Sequence, residues 1–219
     1  MIGCMRNLYT IVVAPHPDDE TRAYGYVAKT LDDTNNNYKH KLVVMTDGRA
    51  TAVRNRLGLT IPEVVAIRKK ESTHAWDHVT DGRGVEPTFV GLPDQGSTVA
   101  GIETAILEAL TMTPFGYTPE IYVATYPPDR PDAAPADQHQ DHKNVILAAN
   151  NVSNTGVTTR FLRSADRVDL PGSVYEVQNA YQQYKVEAAL NAFTTIGHRS
   201  ARQMFDQLYA NDAKSVVTR

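Results

Sequence analysis

The stretch Ala14-Pro15-His16-Pro17-Asp18-Asp19-Glu20 places four side chains able to bind a metal or move a proton within five residues. It directly follows the apolar, β-branched run Leu8 to Val13. Four such groups at the carboxyl end of a buried strand would repel and desolvate one another unless a cation or a substrate compensated them. The plain alternative is a solvated turn opening a helix, with an Asp N-cap and Glu in the first turn. A second cluster, Asp137-Gln138-His139-Gln140-Asp141-His142, follows the apolar run Glu120 to Tyr126. Taken alone it too reads as a helix start, with Asp141 favoured by the helix dipole. Brought together by a doubly wound sheet, His16, Asp19 and His142 form a two-histidine, one-carboxylate set. That set suits Zn²⁺, Fe²⁺ or Co²⁺ with a position left open for water.

The spare polar groups fit a hydrolysis. A metal brings the pKa of its water to about 7, within reach of a neighbouring carboxylate. Asp18 is the candidate general base, able to pass its proton to a departing amine. His139, held by Asp141, is the candidate donor to the developing oxyanion.

The elements that must position these residues follow from the hydrophobic pattern. Buried strands are expected at Leu8 to Val13, Lys41 to Met45, Thr88 to Val90 and Glu120 to Tyr126. Helices are expected over Thr21 to Leu31, from Pro62 through Trp76, over Ile102 to Leu110 and over Asp141 to Asn150. Residues 50–60, with Arg49, Arg54 and Arg56, read as a basic loop at the same sheet edge, either plain surface or a hold on an anionic substrate. Four strand–helix alternations imply an α/β, Rossmann-like three-layer sandwich with a mostly parallel sheet and the site at the carboxyl ends of its strands. Beyond residue 152 the pattern weakens to possible strands at 158–162 and 173–178 and helices at 185–193 and 200–209.

At 219 residues the chain is expected to be a single domain over 1–219, with its core in 8–150 and residues 151–219 shaping specificity. A net charge of -3 and a pI near 6.2 favour neither nucleic acid nor an anionic membrane as partner. The single cysteine, Cys4, excludes an intramolecular disulfide and any multi-cysteine metal site. Met1 to Thr10 is short and polar for a signal peptide, and no apolar run reaches the roughly 20 residues that span a bilayer. A cytoplasmic protein without membrane insertion is the resulting expectation.

The two clusters together resemble those of the PIG-L/LmbE-like de-N-acetylase superfamily, metal-dependent enzymes that remove acetyl groups from N-acetylglucosamine-type units. Thr46-Asp47-Gly48 resembles the family's T-x-G, Arg68 to Glu71 its R-x-x-E helix, and Gly91-Leu92-Pro93-Asp94 its G-x-P-D turn. The resemblance covers residues 8 to 150 well and the remainder faintly. It implies metal ligands at His16, Asp19 and His142, a base at Asp18, and an oxyanion-stabilising His139 oriented by Asp141. Arg68 and Asp94 fall where family members bind substrate or support the site. The chain departs from the family at Gln140, which spares the ligands, and at Arg22 and Tyr26, near the expected mouth of the site, so the reaction carries over better than the substrate.

The reading that results is a zinc-dependent hydrolase taking an N-acetyl or similar small acyl group from an amino sugar or its conjugate. Its partner is a small amino-sugar substrate, and a homo-oligomer stays open. A metal- or sugar-binding protein without catalysis has no use for a spare base such as Asp18. A metal-dependent phosphoesterase would use similar ligands. A dinucleotide-binding oxidoreductase would require glycines where Pro15 to Glu20 has none.

Overall fold

A computed structural model describes residues 5–125, 139–161, 167–168 and 215–216. In chain order these form β1 (Arg6–Ala14), a 3₁₀ turn (Asp19–Ala23), α1 (Tyr24–Leu31), β2 (Asn36–Thr46), α2 (Ala52–Leu57), α3 (Ile61–Val79) and β3 (Val85–Leu92). They continue with α4 (Val99–Thr111), β4 (Thr118–Val123), α5 (Gln140–Ser153), β5 (Thr158–Phe161), β6 (Arg167–Val168) and β7 (Ser215–Val216). Strands β1 to β5 make one all-parallel sheet in the order β3-β2-β1-β4-β5, while β6 and β7 pair antiparallel.

The period-2 alternation of the strands divides the core into two apolar clusters. Val12, Ala14, Leu42, Val44, Tyr122 and Ala124 pack against Tyr24, Val27, Trp76 and Val79 of α1 and α3. Ile11, Val13, Val43, Met45, Ile121 and Val123 pack against Ile102, Ile106, Val145 and Ala149 of α4 and α5. Helices therefore cover both faces, which is why the central strands are apolar on both. This is the expected α/β architecture with a parallel sheet.

The strand order reverses between β1 and β4, which lie side by side with Val13 opposite Val123. In open parallel sheets such a switch point leaves a crevice beyond the carboxyl ends of the two strands. The two acid/histidine clusters follow β1 and β4.

Several elements differ from expectation. Strand β2 begins at Asn36, because β1 continues to pair with the polar segment Asn36 to His40. Residues 52–57 form a helix instead of a loop, capped by Thr51 accepting from the Val53 N–H at 3.2 Å and ended by Gly58 at φ 65°. Val53 holds it down, packed with Val64 and Ile67. Helix α1 is preceded by a 3₁₀ turn carrying the acidic residues. The start of α3 is fixed by a capping box between Thr60 and Glu63, with Pro62 in its first turn. The expected strand at 158–162 appears as β5. Tyr126 and the elements expected at 173–178, 185–193 and 200–209 lie outside the described residues.

Candidate metal centre and active site

The β1–β2 pairing runs on past Ala14, since the Thr46 N–H donates to the Pro15 carbonyl at 3.0 Å. This holds the start of the acidic turn against the sheet. The turn then folds back, with the Asp19 N–H on the His16 carbonyl at 3.2 Å and the His16 N–H on Asp19 Oδ2 at 3.2 Å. His16 Nδ1 lies 3.1 Å from the same Asp19 oxygen.

Across the crevice α5 delivers His142, whose Nε2 is 3.4 Å from Asp19 Oδ2. Donor atoms of His16, Asp19 and His142 all fall within 4.8 Å of one another. Around a tetrahedral zinc with bonds of about 2.0–2.1 Å, ligand atoms stand about 3.4 Å apart, so the 3.1 and 3.4 Å separations suit such an ion.

The remaining ring nitrogens are held in the manner of metal-ligating histidines. His142 Nδ1 is 2.6 Å from the Thr125 hydroxyl, just beyond β4. His16 Nε2 is 3.1 Å from Asp94 Oδ1 and 3.2 Å from Asp141 Oδ2. A proton on each of these nitrogens would turn the lone pairs of His16 Nδ1 and His142 Nε2, together with Asp19 Oδ2, onto a cation held between them. The chemistry of the donor set thus fits a divalent cation at His16, Asp19 and His142.

The charges are tightly coupled. Burial alone would lower the His16 pKa, but the carboxylates of Asp141, Asp19 and Asp94 outweigh it and hold the group well above its ordinary value. Burial would raise Asp19, yet His142, His16 and Arg22 hold it well below the usual carboxylate range. Asp18 goes the other way. Burial pushes it up to about 7, Arg68 and His16 pull it down, and Asp19 and Glu20 push it up.

Asp18 sits at φ 123°, a conformation that side-chain-bearing residues rarely adopt. Its Oδ2 accepts from the Arg68 guanidinium at 2.5 Å, and the same guanidinium nitrogen donates to the Pro17 carbonyl. Arg68, on α3, is only 5% exposed. Gly48 makes room for it. A Cβ on Gly48 would lie 2.9 Å from Arg68 Nε and 3.0 Å from Pro17 Cδ, and the glycine has φ +64°. The resemblance to T-x-G therefore has a packing cause.

His139 is the N-cap residue of α5, its Nδ1 accepting from the Asp141 N–H at 3.4 Å, and about a third of its side chain is exposed. Asp141 Oδ2 lies 3.5 Å from that nitrogen. The stronger partners of Asp141 are elsewhere: the Gln95 N–H at 2.7 Å, the Ser97 hydroxyl at 2.5 Å and the Ser97 N–H at 3.2 Å, besides His16. Burial would raise Asp141, but His16, Ser97 and Gln95 hold it low. It ties the loop after β3 to both histidine loops. His16, His139 and Asp141 form a second donor group within 4.8 Å, sharing His16 with the first.

Asp94 joins two loops, through His16 and through the Ala50 N–H at 2.9 Å. Burial would raise its pKa, and His16 and Ala50 lower it. Arg49 is bound by Asp47 at the end of β2. All eight residues singled out by sequence thus lie around one crevice, with Arg68 and Asp94 touching Asp18 and His16. Sequence reasoning missed Thr125 and Ser97, and it marked Glu20 in the acidic turn without giving it a role. A hydroxyl right after a strand that ends at the site was the signal available for Thr125; nothing local marked Ser97.

Fold and site together define a doubly wound α/β protein with a histidine/aspartate donor cluster at its switch point. Residues 11–153 match the family model described as GlcNAc-PI de-N-acetylase, PIG-L, which covers more than half of the chain. The chain belongs to that family.

Among solved structures it is similar to a triple mutant of a deacetylase of the teicoplanin biosynthetic pathway, at 17% identity and TM-score 0.65, covering 96% of this chain and 95% of that one. It is also similar to the N,N'-diacetylchitobiose deacetylase of Pyrococcus horikoshii, at 17% identity and TM-score 0.57, with coverage of 90% and 79%. A third is the 4-carboxy-2-hydroxymuconate hydratase of Pseudomonas putida, at 14% identity and TM-score 0.63, with coverage of 96% and 93%. At these identities the likeness establishes the fold, which serves both deacetylases and a hydratase. No curated protein sequence matches the chain. Family membership supports an N-deacetylase of the amino-sugar type. Among the described residues no helix is long and apolar enough to cross a membrane.

Proposed function

We propose that the protein is a metal-dependent hydrolase that removes an N-acetyl or similar small acyl group from an amino sugar or its conjugate. The observation that carries the reading is the meeting of His16, Asp19 and His142 within 4.8 Å at the switch point of a chain of this family, with Asp18 adjacent and outside the donor set. These three residues would hold Zn²⁺, or Fe²⁺ or Co²⁺ by the same donor chemistry. Such an ion would supply Lewis acidity for the scissile carbonyl and would make water acidic enough to lose its proton near neutrality.

Asp18 takes the proton of the attacking water, and Arg68 steadies its carboxylate. Burial favours the neutral carboxyl of Asp18 against the pull of Arg68, which makes it a better base than an exposed aspartate and lets it hold the proton until the amine departs. His139, partly open to the crevice, donates to the oxyanion as the carbonyl becomes tetrahedral. Collapse breaks the C–N bond and leaves acetate and a free amine. Asp141 and Asp94 keep the His16 ring in place, and Thr125 does so for His142. Arg68 and Asp94 thus act by supporting the base and a ligand.

The test is acetate release from a panel of N-acetylated amino sugars and conjugates by Zn²⁺-loaded protein, with Asp18→Ala in parallel. Wild type should release acetate, and the variant should retain metal while losing about 10²- to 10⁴-fold in rate. No acetate from metal-loaded wild type across the panel would remove the deacetylase reading.

A further inference from the structure

Asp18, Asp19 and Glu20 are consecutive carboxylates, and Glu20 is the most deeply buried, at 0% exposure. Its bonds run into the interior. Oε2 accepts the Asp18 N–H at 2.8 Å, and Oε1 accepts the hydroxyls of Ser72, on α3, at 2.6 Å and of Tyr24 at 3.5 Å. Glu20 belongs to neither donor group around His16.

A glutamate that serves only to start a helix reaches back over an open turn, where it keeps most of its hydration. Glu20 instead gives up its hydration, and a purely structural position of this kind is often filled as well by an apolar side chain. What the buried carboxylate does that an apolar group could not is grip the backbone of Asp18. That backbone is at φ 123°, and such a conformation persists only where its surroundings over-determine it. The Asp18 carbonyl is taken by the Thr21 hydroxyl at 2.6 Å, its carboxylate by Arg68, and its N–H by Glu20.

We propose that Glu20 is a positioning residue: anchored on Ser72, its carboxylate fixes the Asp18 backbone and so aims the Asp18 carboxylate for proton transfer. The inference rests on Asp18 being the general base. Loss of Glu20 should then impair turnover while leaving metal and substrate binding intact.

The experiment compares wild type, Glu20→Ala, Glu20→Gln and Ser72→Ala in three measurements: bound zinc, kcat and KM for acetate release, and NMR exchange of the Asp18 amide proton in the zinc-loaded protein. Glu20→Ala should keep one zinc per chain and a KM within about twofold, and lose about 10- to 100-fold in kcat, as a small misplacement of a reacting group does. The Asp18 amide should exchange at least tenfold faster than in wild type, with the amides of α5 unchanged. Glu20→Gln can still accept from Asp18 while donating to Ser72, and should restore most of kcat and of the amide protection. Ser72→Ala should lie between the two.

Unchanged Asp18 exchange in Glu20→Ala would overturn the proposal. So would a kcat within twofold of wild type, a loss of zinc in step with kcat, or a Glu20→Gln variant as slow as Glu20→Ala. If Glu20→Ala yields no folded protein, Ser72→Ala decides: kcat and Asp18 exchange both at the wild-type level would overturn it. If wild type releases no acetate, the functional reading fails by itself, and the amide measurement still decides whether Glu20 holds Asp18.

Discussion

Acidification from pH 7 to pH 5 should cost this protein stability through His40, far from the candidate metal centre. His40 lies wholly buried on β2, its Nε2 beside the Thr30 hydroxyl at 3.0 Å and its Nδ1 without a hydrogen-bond partner among the described residues. Tyr38 stacks on the ring at 5.9 Å and Tyr26 meets it edge-on at 6.4 Å, so neither neighbour offers a counter-charge at these pH values. Burial, with a smaller contribution from the positive charge of Arg83, lowers its pKa from 6.5 to about 3. The unfolded chain therefore binds a proton below pH 6.5 that the folded chain refuses. Stability from this group is complete above pH 6.5 and is lost as pH falls toward 3. Between pH 7 and pH 5 the loss works out to about 2 kcal/mol. His40→Phe removes the titration while leaving the Thr30 hydroxyl on the carbonyls of Tyr26 and Val27, both at 2.9 Å. Urea unfolding of both proteins at the two pH values isolates the effect, because other titrating groups cancel in the comparison. The wild-type midpoint should fall by roughly 1 M more than that of His40→Phe. Equal falls would show that His40 is protonated in the folded protein and would refute the reasoning.

Two further outcomes follow from the site. Thr125→Val should leave the fold intact but weaken zinc affinity about 10- to 100-fold, measured by competition with a chelator, because the Nδ1 side of His142 loses its partner. Gly48→Ala should slow acetate release more than it lowers Tm. Its Cβ displaces Arg68 from beneath Asp18, whereas the positive φ alone costs about 1–2 kcal/mol, and a variant with full activity would sever that link.

The strand–helix alternation was legible because apolar residues repeat with periods set by backbone geometry. Buried strands such as Ile11 to Val13 announce themselves, whereas Asn36 to His40 does not, since its polar side chains become strand only through pairing with β1. Helix α2 was hidden for a related reason: six residues form a stable turn only once Val53 is covered by Val64. At the site, residue types and strand-end positions identified His16, Asp19 and His142 as candidate neighbours. Pairings between loops were not legible, because no local pattern encodes which N–H will face which carboxylate. Asp141 illustrates this: sequence adjacency suggested His139 as its partner, and the fold gives it Ser97, Gln95 and His16 as closer ones.

The adjacency of β1 and β4 also bears on how the molecule comes into being. Val13 and Val123 are neighbours in space only after the chain between them has been laid down and folded. Such long-range pairings close late and slowly. His16 and Asp19 leave the ribosome more than a hundred residues before His142, so the nascent chain carries two of the three donors until the fourth strand docks. Capture of a divalent ion during refolding would accordingly clock the β1–β4 junction rather than the initial collapse, giving a spectroscopic handle on one tertiary event within an otherwise crowded reaction.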